Sequence, residues 1–577
     1  MAPSCNVLIV GAGLAGITLA ILLERANVQY SLLESASSEE ITSAGGAIVL
    51  GPTIMPLLEQ LGLLDRVRDI SKPIKAMHII QEDRDLLKRI GEFDLSDHRS
   101  RTGYDSLVTT RPELLKLFLS QLPATKVHFR KRVVAVSQNK DKVTVRCADD
   151  DSTFRGDLLV GADGAWSTVR EQLYRQVSKK GILPRGDAEA AGLISNLRST
   201  PGNSMSNLSS SGSSSDSDSG AAPSRSHHRS LQRQQQHVTM VGVTEPLESE
   251  SYKEFLQGDE SHCDIVIGDR VPHCWSYYAV SEDRICWSVN FHLDEPAFQE
   301  LRTQSQSRSP PSPTPSATSS TRSSSPFPLS PPSYGWSFED QKTSAATIEI
   351  STQSLQDECR NFKLSIGGSI GDLIKMTPSH SITQARLAEE KLFDTWHHGR
   401  TVLIGDACHR MLPKAGQGAE ATNGMQDAII LANLIADLPS TELATSQHLV
   451  ELFKDFQSDR YPHAKALMHI HHKLNRIFTS SPSASNSSNN QDPTATGTST
   501  ASSSSPPKSQ PHTSWTEYLM RKVMVRYITK VYHHFSDHKI LADRPQATFL
   551  PLVQSHGSVS ALPPKPHKVF GANRPKH

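Results

Sequence analysis

The chain has 577 residues, with 60 Lys and Arg against 60 Asp and Glu, so its formal charge at pH 7 is zero. This balance gives no argument for a nucleic-acid partner or an anionic membrane surface. The length is enough for two or more domains. The seven cysteines form no CxxC pair and are odd in number, which favours a reducing compartment, the cytoplasm. Neither a signal peptide nor a run of about 18 apolar residues is present, so we predict no spanning helix.

Short apolar runs alternate with segments of helical spacing, which predicts an α/β fold. In chain order the predicted strands are Asn6–Val10, Tyr30–Leu33, Lys126–Phe129, Val133–Val136, Lys142–Arg146, Asp157–Val160, Val238–Val243, Cys263–Ile267, Cys274–Ala279, Arg284–Phe291 and Thr401–Ile404. The predicted helices are Leu14–Arg25, Thr53–Leu61, Asp427–Ile435, Gln447–Ile477 and Trp515–Phe535. The four strands from Val238 to Phe291 are expected to form a separate sheet.

Three polar segments interrupt this pattern. Ser199–Gln236, Thr303–Ser333 and Ser480–His512 are rich in Ser, Pro, Asn or Gln. Such compositions bury too little apolar surface to offset the chain entropy lost on folding. We therefore predict disordered inserts in surface loops, where added length costs little.

A glycine-rich turn follows the first predicted strand directly. Gly11, Gly13 and Gly16 form G-x-G-x-x-G at the start of a helix, and Glu34 ends the second strand. In this motif the first glycine allows a tight turn, the second lets the backbone approach a pyrophosphate, and the third allows close helix–strand packing. The helix N-terminus favours phosphate, and the acid can accept from ribose hydroxyls. The pattern predicts a dinucleotide site; a chance glycine triplet is the alternative.

Two later segments distinguish FAD from NAD. The first runs from Asp157 to Arg170 and contains Asp163-Gly164; the second runs from Gly405-Asp406 to Ala419. They resemble the "DG" and "GD" motifs of the group A flavoprotein monooxygenases, the p-hydroxybenzoate hydroxylase family, and occur in the same order. The resemblance implies FAD as cofactor and NAD(P)H as co-substrate. It also implies a Rossmann-like FAD-binding domain, an inserted mixed β-sheet substrate domain and a helical C-terminal tail.

The resemblance divides the chain into discontinuous parts. The FAD-binding domain comprises 1–75, 105–180 and 393–440, and the substrate domain comprises 76–104 and 237–392. The inserts are 199–236, 303–333 and 480–512, and the helical C-terminal region is 441–577.

Further cofactor contacts are assigned to the second motif. The Asp406 carboxylate follows a strand and can accept hydrogen bonds from a polyol such as the ribityl chain; a turn aspartate is the alternative. Pro413, Gly416 and Gly418 make an open loop, and the helix near Ala419 would place its N-terminus by the flavin.

The resemblance also implies contacts outside the two motifs. It places Arg111 against FAD, with a solvated surface arginine as the alternative. It brings the backbone of Gly46 or Ala47 to the cofactor, and it uses the segment of Asp163 for both FAD and NAD(P)H. A structural turn residue is the alternative for Asp163.

Two histidine-containing groups favour a structural interpretation. Cys408 and His409 lack an identifiable third acid for a nucleophilic triad, so we interpret them as packing residues. His469, His471 and His472 lack the carboxylate or thiolate spacing that would complete a metal site, and no metal is predicted.

A narrower resemblance lies in Gly399–Leu434, with Thr244-Glu-Pro-Leu and the segment from Arg544 to Pro551. These segments are similar to the fungal branch that contains indole-diterpene and meroterpenoid epoxidases, enzymes of fungal secondary metabolism. Many of those enzymes carry a hydrophobic C-terminal segment that this chain lacks. Peripheral membrane contact through Trp515–Phe535 is therefore not predicted, and docking of that helix onto the enzyme body is preferred.

The implied reaction begins with reduction of FAD by NAD(P)H. Oxygen adds to give a C4a-(hydro)peroxyflavin, and one oxygen atom hydroxylates or epoxidises a small hydrophobic substrate, aromatic or terpenoid. The cofactor carries this chemistry, so no catalytic side chain is assigned; Tyr277 or Tyr278 could face the pocket, with a core position as the alternative.

Two other classes of protein stay open at this stage. A flavin oxidase, dehydrogenase or halogenase is one, although the W-x-W-x-I-P signature of tryptophan halogenases is absent. A non-enzymatic carrier like the Rab GDP-dissociation inhibitors is the other, and the acids Glu34 and Asp406 argue against it. The sequence leaves open the substrate, the choice between NADH and NADPH, and the oligomeric state.

Overall fold

The structure is a computed structural model. It describes residues 5–43, 45–83, 86–190, 193, 236–248, 250–268, 274–293, 356–357, 359–387, 390–411, 419–438, 445–479, 519, 522–527, 529–530 and 540–563. The predicted inserts 199–236, 303–333 and 480–512 lie outside these ranges, except Gln236, where a strand begins.

The strands are, in chain order, β1 Asn6–Val10, β2 Gln29–Leu33, β3 Ala47–Leu50, β4 Lys72–Asp83, β5 Leu86–Asp94, β6 Leu107–Thr110, β7 Val127–His128, β8 Val133–Gln138, β9 Val143–Cys147, β10 Thr153–Gly156, β11 Leu158–Gly161, β12 Gln236–Val243, β13 Ser261–Ile267, β14 Cys274–Val280, β15 Arg284–Leu293, β16 Thr383–Leu387, β17 Lys391–Leu392, β18 His397–His398, β19 Thr401–Leu403 and β20 His409–Arg410.

The α-helices are α1 Leu14–Arg25, α2 Ser38–Ser43, α3 Met55–Gln60, α4 Leu64–Asp69, α5 His98–Thr102, α6 Arg111–Leu119, α7 Thr168–Lys179, α8 Arg185–Ala190, α9 Lys253–Leu256, α10 Ile370–Lys375, α11 Ala419–Ala436 and α12 Ser446–Thr479. In the described part of the chain, no helix is both long and apolar enough to cross a membrane.

A six-stranded sheet forms the dinucleotide-binding half, in the order β18-β19-β11-β1-β2-β7. The strands from β19 to β7 are all parallel. The chain passes from β1 through α1 to β2 on one side, whereas β11 lies on the other side of β1. Ligands of open α/β sheets bind at the carboxyl ends of the strands beside such a reversal. The crevice between the ends of β1 and β11 is therefore where a dinucleotide is expected.

The apolar runs of the sequence explain this half of the molecule. β1, β2, β11 and β19 are nearly continuous apolar segments because helices cover both faces of a parallel sheet. Helix α1 buries most of its length between the sheet and α11. A Cβ added at Gly424 of α11 would lie 3.3 Å from the Cβ of Ala15 and 3.4 Å from the Cα of Gly405, so the two helices cross closely beside the turn after β19.

A nine-stranded sheet forms the second half, in the order β16-β12-β15-β14-β13-β4-β6-β3, with β5 also paired to β4. Its two faces carry separate apolar clusters. One face includes Val49, Cys286 and Tyr278 and packs against Ala47. The opposite face includes Tyr277 and packs against α9 and α10. Strands β3 and β6, from the predicted FAD-binding parts, extend this sheet and so join the two halves.

Most of the predicted elements are confirmed. Every predicted strand lies within two residues of an observed strand at each end, and helix α1 has the predicted bounds. The α/β fold with a second mixed sheet is confirmed as well. Helix α11 begins eight residues before the predicted Asp427. Of the predicted helix Trp515–Phe535, only residues 519, 522–527 and 529–530 are described; Val525 within it is fully buried and packs against Gly91, on the enzyme body.

Candidate functional site

The glycine turn has the geometry that its three positions require. Gly11 has φ +103°, and a Cβ there would lie 2.4 Å from the carbonyl oxygen of Ala162. A Cβ at Gly16 would lie 2.0 Å from the carbonyl oxygen of Gly11. A Cβ at Gly13, in contrast, would have no atom within 4 Å. The first and third glycines are therefore needed for packing, while the second faces open space at the start of α1.

The start of α1 is suited to an anion. Gly13 is the N-cap of this helix, and no side chain caps it. The first N–H groups of a helix have no intrahelical partner, and the helix dipole is positive at this end. The first turn of α1 has no acidic residue that would offset this positive potential. A diphosphate is the ligand that such a cradle accepts.

Glu34, at the end of β2, fixes the other side of the turn. Its Oε2 accepts a hydrogen bond from the Ala12 N–H at 2.7 Å, and its Oε1 accepts from the Ala36 N–H at 2.9 Å and the Ser35 hydroxyl at 3.0 Å. These bonds orient the carboxylate beside the glycine turn. A carboxylate has about four acceptor positions, so one remains for a hydroxyl of a ligand.

Asp406 lies in a tight turn after β19 that Gly405 makes possible with φ +61°. Burial raises the pKa of Asp406 to about 6, against the opposing effects of His409, Arg410 and Arg170. No donor in the described part of the chain hydrogen-bonds its carboxylate. Asp406 is half-buried, so its carboxylate can accept hydrogen bonds from the hydroxyl groups of a ligand.

Asp163 and Arg170 hold the turns after β11 and β19 in place through hydrogen bonds. The Asp163 carboxylate accepts from the Ser167 hydroxyl and, at 3.0 Å, from the Val169 N–H, so it holds the start of α7. The Arg170 guanidinium donates to the carbonyl oxygens of Ala407, at 2.9 Å, and Ala165, at 2.8 Å. It thereby ties the turn after β11 to the turn after β19.

Arg111 begins α6, and its stem covers Gly45: a Cβ at Gly45 would lie 3.2 Å from Cδ of Arg111. Burial lowers the pKa of Arg111, while the charge of Glu34 raises it. Within the described ranges no acceptor hydrogen-bonds its guanidinium. The Arg111 backbone N–H donates to the Gly46 carbonyl oxygen at 2.9 Å, which places the Gly45–Ala47 segment beside it.

The donor set therefore fits FAD. An uncapped helix start with open space at Gly13 suits the diphosphate. The Asp406 carboxylate suits a ribityl hydroxyl, and the Arg111 guanidinium suits a phosphate or a carbonyl oxygen. The groups come from separate chain segments: Gly13 and Glu34 follow β1 and β2, Asp406 follows β19, and the charge of Glu34 acts on Arg111. Pro413, Gly416 and Gly418 lie outside the described residues; Ala419 is described as the first residue of α11.

A buried ionic network that the sequence did not predict lies below the Asp406 turn. Asp427 of α11 accepts from the Gly405 N–H at 2.9 Å, from His409 Nε2 at 2.6 Å and from Arg460 Nε at 2.7 Å. Although burial opposes it, the charges of His409 and Arg460 lower the pKa of Asp427 to about 2. The network supports the Asp406 turn from the side of α11. In the sequence, only the resemblance of the segment that contains Asp427 to the family could have indicated this role.

Cys408 and His409 are buried, as the packing interpretation expects, but the third acid that the sequence did not identify is present as Asp427. Both are fully buried. Burial, followed by the charge of Asp427, raises the pKa of the Cys408 thiol well above its usual value, so the thiol is protonated and unreactive. The His409 ring is held by its hydrogen bond to Asp427.

The two candidate tyrosines point to opposite faces of the nine-stranded sheet. The Tyr277 hydroxyl donates to Asp264 at 3.0 Å on the face that packs against α9 and α10. Tyr278 lies on the other face, beside Cys286, whose sulfur accepts from the Ala47 N–H at 3.1 Å. Only Tyr278 is therefore on the side of the Gly46–Ala47 segment.

Glu420, in the first turn of α11, is a half-buried acid that the sequence did not indicate as a site residue. Burial, together with the charge of Asp406, raises its pKa to about 7. Its Oε2 is buried without a hydrogen-bond partner among the described residues. Burial is the main cause of the raised pKa of Tyr278, and the charge of Glu420 adds to it.

A family model described as "FAD binding domain" matches residues 4–239 and 356–470, more than half of the chain. The chain belongs to this FAD-binding family, and it is a flavoprotein.

Curated relatives narrow the class. The chain is 26% identical over 490 residues to the FAD-dependent monooxygenase esdpE of Penicillium shearii, which covers 82% of this chain and 78% of that protein. It is 25% identical over 437 residues to the FAD-dependent monooxygenase ctvC of Aspergillus terreus, covering 75% and 70%. The FAD-dependent monooxygenase atmM of Aspergillus flavus is 22% identical over 488 residues, covering 82% and 77%. The chain is an FAD-dependent monooxygenase, similar to these fungal enzymes.

Solved structures confirm the fold. Klebsiella pneumoniae HpxO, complexed with FAD and uric acid, superposes with a TM-score of 0.52 at 18% identity, covering 83% of this chain and 89% of that one. The 2,6-dihydroxypyridine-3-hydroxylase of Arthrobacter nicotinovorans superposes with a TM-score of 0.52 at 16% identity, covering 84% and 96%.

Proposed function

We propose that the enzyme uses NAD(P)H and O2 to hydroxylate or epoxidise a small hydrophobic substrate, aromatic or terpenoid. The observation that carries this proposal is the uncapped start of α1 with open space at Gly13, beside the Glu34 carboxylate, which accepts from Ala12 N–H. Neither the Arg111 nor the Asp406 side chain is hydrogen-bonded by the described chain. When bound, FAD supplies the electron transfer from the nicotinamide and the activation of oxygen. The protein supplies binding, orientation and exclusion of water.

The proposed FAD contacts divide along the crevice. The N-terminus of α1, at Gly13, takes the diphosphate, and Glu34 takes a ribose hydroxyl. Asp406 accepts from the ribityl chain, and Arg111 donates to the cofactor between them. Gly46 and Ala47 approach through their backbone. Asp163 holds the start of α7 through one hydrogen bond to each oxygen and keeps acceptor positions for FAD or NAD(P)H.

The loop around Pro413, Gly416 and Gly418, with Ala419, is proposed to complete the flavin end of the site. In the sequence it connects the Asp406 turn to α11, and glycines carry no side chain that would compete with a ring system for space.

The substrate pocket is proposed to lie between α11 and the sheet face that carries Tyr278 and Cys286. Val241 and Cys286 border Gly46, at 3.3 and 3.7 Å from the Cβ that glycine lacks. Glu420 would offer a protonated carboxyl to a hydroxyl or carbonyl oxygen of the substrate, because its buried Oε2 has no partner in the described chain. An apolar wall with one polar anchor suits a hydrophobic substrate.

The fungal relatives support a terpenoid or aromatic substrate and a place in secondary metabolism. All seven cysteines are buried free thiols, which supports the predicted reducing compartment, the cytoplasm.

The test measures oxygen transfer directly. The purified enzyme is reduced anaerobically with NADPH and, separately, with NADH, in the presence of a panel of terpenoid and aromatic compounds. A true substrate should accelerate flavin reduction, and after addition of 18O2 it should gain one labelled oxygen atom. Oxidation of NAD(P)H that yields only hydrogen peroxide with every compound would instead indicate an oxidase.

A further inference from the structure

A second cluster of chemically capable side chains lies on the face of the nine-stranded sheet opposite Tyr278. His78 of β4 and Asp264 of β13 are direct partners in the register of these parallel strands. His262 precedes Asp264 by two residues and therefore points to the same face. The cluster is thus built on two adjacent strands, whose positions are fixed by the sheet.

The three side chains already approach one another as metal ligands do. Nδ1 of His78 is 2.8 Å from Oδ1 of Asp264, and Nε2 of His262 is 3.8 Å from the same oxygen. One ligand atom from each residue lies within 4.8 Å of the other two. Tetrahedral ligands at about 2.0–2.1 Å from zinc are about 3.3 Å apart. A shift of about half an ångström in each of the two distances would therefore produce that spacing.

Outer hydrogen bonds hold the carboxylate in the orientation that ligation needs. Oδ2 of Asp264 accepts from the Tyr277 hydroxyl at 3.0 Å and from the Ser365 hydroxyl. The Ser365 N–H in turn donates to the Tyr277 oxygen at 2.7 Å. Oδ1 is left facing the two histidines. Such partners fix metal-binding carboxylates and affect affinity strongly.

The solvent exposure of the two histidines also suits a cation site. The side chain of Asp264 is 2% exposed, whereas those of His78 and His262 are 17% and 38% exposed. A cation can therefore enter from solvent and keep water as a further ligand. The Phe255 ring packs edge-on against that imidazole, with centroids 5.0 Å apart.

We propose that His78, His262 and Asp264 bind one divalent transition-metal cation, zinc or an ion of similar preference, and that this ion ties β4 to β13. Two imidazoles and one carboxylate with open positions are a recurrent ligand set for such ions. The site stands apart from the flavin crevice, on the other face of the sheet, so this proposal does not rest on the proposed function.

The other described group with ligand-type spacing, Cys408, His409 and Asp427, does not carry such a site. Arg460 donates to Asp427 at 2.7 Å, so a positive charge already occupies one carboxylate oxygen. His409 and the Gly405 N–H occupy the other. All three side chains are fully buried and closed to solvent.

The experiment uses the full chain with FAD bound, free of an affinity tag and dialysed against chelator. Cobalt is titrated while the visible d–d bands of the ion are recorded, and zinc then displaces it to give the zinc affinity. The variants are His262→Ala and Asp264→Asn. Tyr277→Phe tests the outer hydrogen bond, and His380→Ala, which removes an exposed histidine elsewhere, is the matched control. Far-UV circular dichroism and flavin content verify that each variant is folded.

One equivalent of cobalt with intense bands is expected for the wild type and for His380→Ala. His262→Ala and Asp264→Asn should bind zinc at least tenfold more weakly, and Tyr277→Phe about 10–100-fold more weakly. The proposal is overturned if the wild type binds no stoichiometric cobalt. It is equally overturned if folded His262→Ala, whose side chain is already partly exposed, retains the wild-type spectrum and affinity. Neither result depends on oxygenation.

Discussion

The guanidinium of Arg170 donates to the carbonyl oxygen of Ala407 at 2.9 Å, and this bond joins the two turns that the sequence motifs mark. The same side chain donates to Ala165 and lies over the Phe393 ring, 4.4 Å from its centroid. The turns after β11 and β19 are therefore fixed relative to each other by one buried arginine.

Replacing Arg170 with Met should lower the free energy of unfolding by about 2–4 kcal/mol, because two carbonyl oxygens lose charged donors in a buried place. Urea unfolding of the FAD-free protein measures the change. Arg68→Met, which removes a half-exposed arginine paired with Asp65, is the control and should change stability by less than about 0.5 kcal/mol. Equal effects of the two substitutions would contradict the proposed role of Arg170.

The affinity for FAD should depend on pH through Asp406. Burial raises the pKa of Asp406 to about 6 in the FAD-free protein, and hydroxyl donors of the cofactor would favour the ionised form. Affinity should therefore be full above pH 6 and fall by up to about tenfold per pH unit below it. Fluorescence titration of the FAD-free protein with FAD between pH 5 and 8 measures this dependence.

Asp406→Asn supplies the matched control for that titration. It should bind FAD more weakly at pH 8, with a flatter profile below pH 6. A variant profile parallel to the wild-type profile would show that another group causes the pH dependence. Asp406→Ala should remain folded but be purified with little FAD; stoichiometric FAD would contradict the contact.

The raised pKa of Glu420 predicts an effect on stability. Its pKa is about 7 in the folded chain, against the ordinary value of 4.5, with burial as the main cause. The folded state therefore holds the proton more tightly, and stability is lost as pH rises from about 4.5 to 7. Glu420→Gln, which cannot ionise, should exceed the wild type by about 1–3 kcal/mol at pH 8 and by little at pH 4.5.

Chemical unfolding of the FAD-free protein at the two pH values tests this expectation. Glu420→Gln should also weaken substrate-dependent acceleration of flavin reduction while leaving FAD content unchanged. A stability difference that is the same at both pH values would rule out a buried, protonated carboxyl.

The sequence predicted the dinucleotide half well because its signals are local. The apolar run before Gly11, the helical spacing from Leu14 and the acid at Glu34 lie within thirty residues of one another and need no long-range contact to be recognised. The parallel strands are buried on both faces, so their apolar runs are continuous and easily read. The same holds for the Asp406 turn, which follows such a run.

The missed features depend on long-range contacts. Strands β4 and β5 mix charged and apolar residues, because part of each is exposed, so no simple alternation indicates them. The pKa of Glu420 is raised by burial, and Asp427 is ionised because it pairs with Arg460, 33 residues later in the chain. Neither environment can be predicted from the neighbouring residues in the sequence. His262 and Asp264 are two residues apart, but His78 is 186 residues from Asp264 and is brought to them only by strand register.

The central claim is that the crevice beside Gly13 holds the diphosphate of FAD, and the FAD-to-protein ratio of purified Gly13→Ala tests it most directly. A Cβ at this position meets no protein atom within 4 Å, and the backbone there has φ −70°, so the variant should unfold at the wild-type temperature. Its Cβ would enter the space left for the diphosphate, and we expect at least tenfold weaker FAD binding and a colourless preparation. Gly16→Ala, in which a Cβ would clash with the carbonyl oxygen of Gly11, should instead be destabilised as a fold. Stably folded Gly13→Ala carrying one FAD per chain would contradict the account.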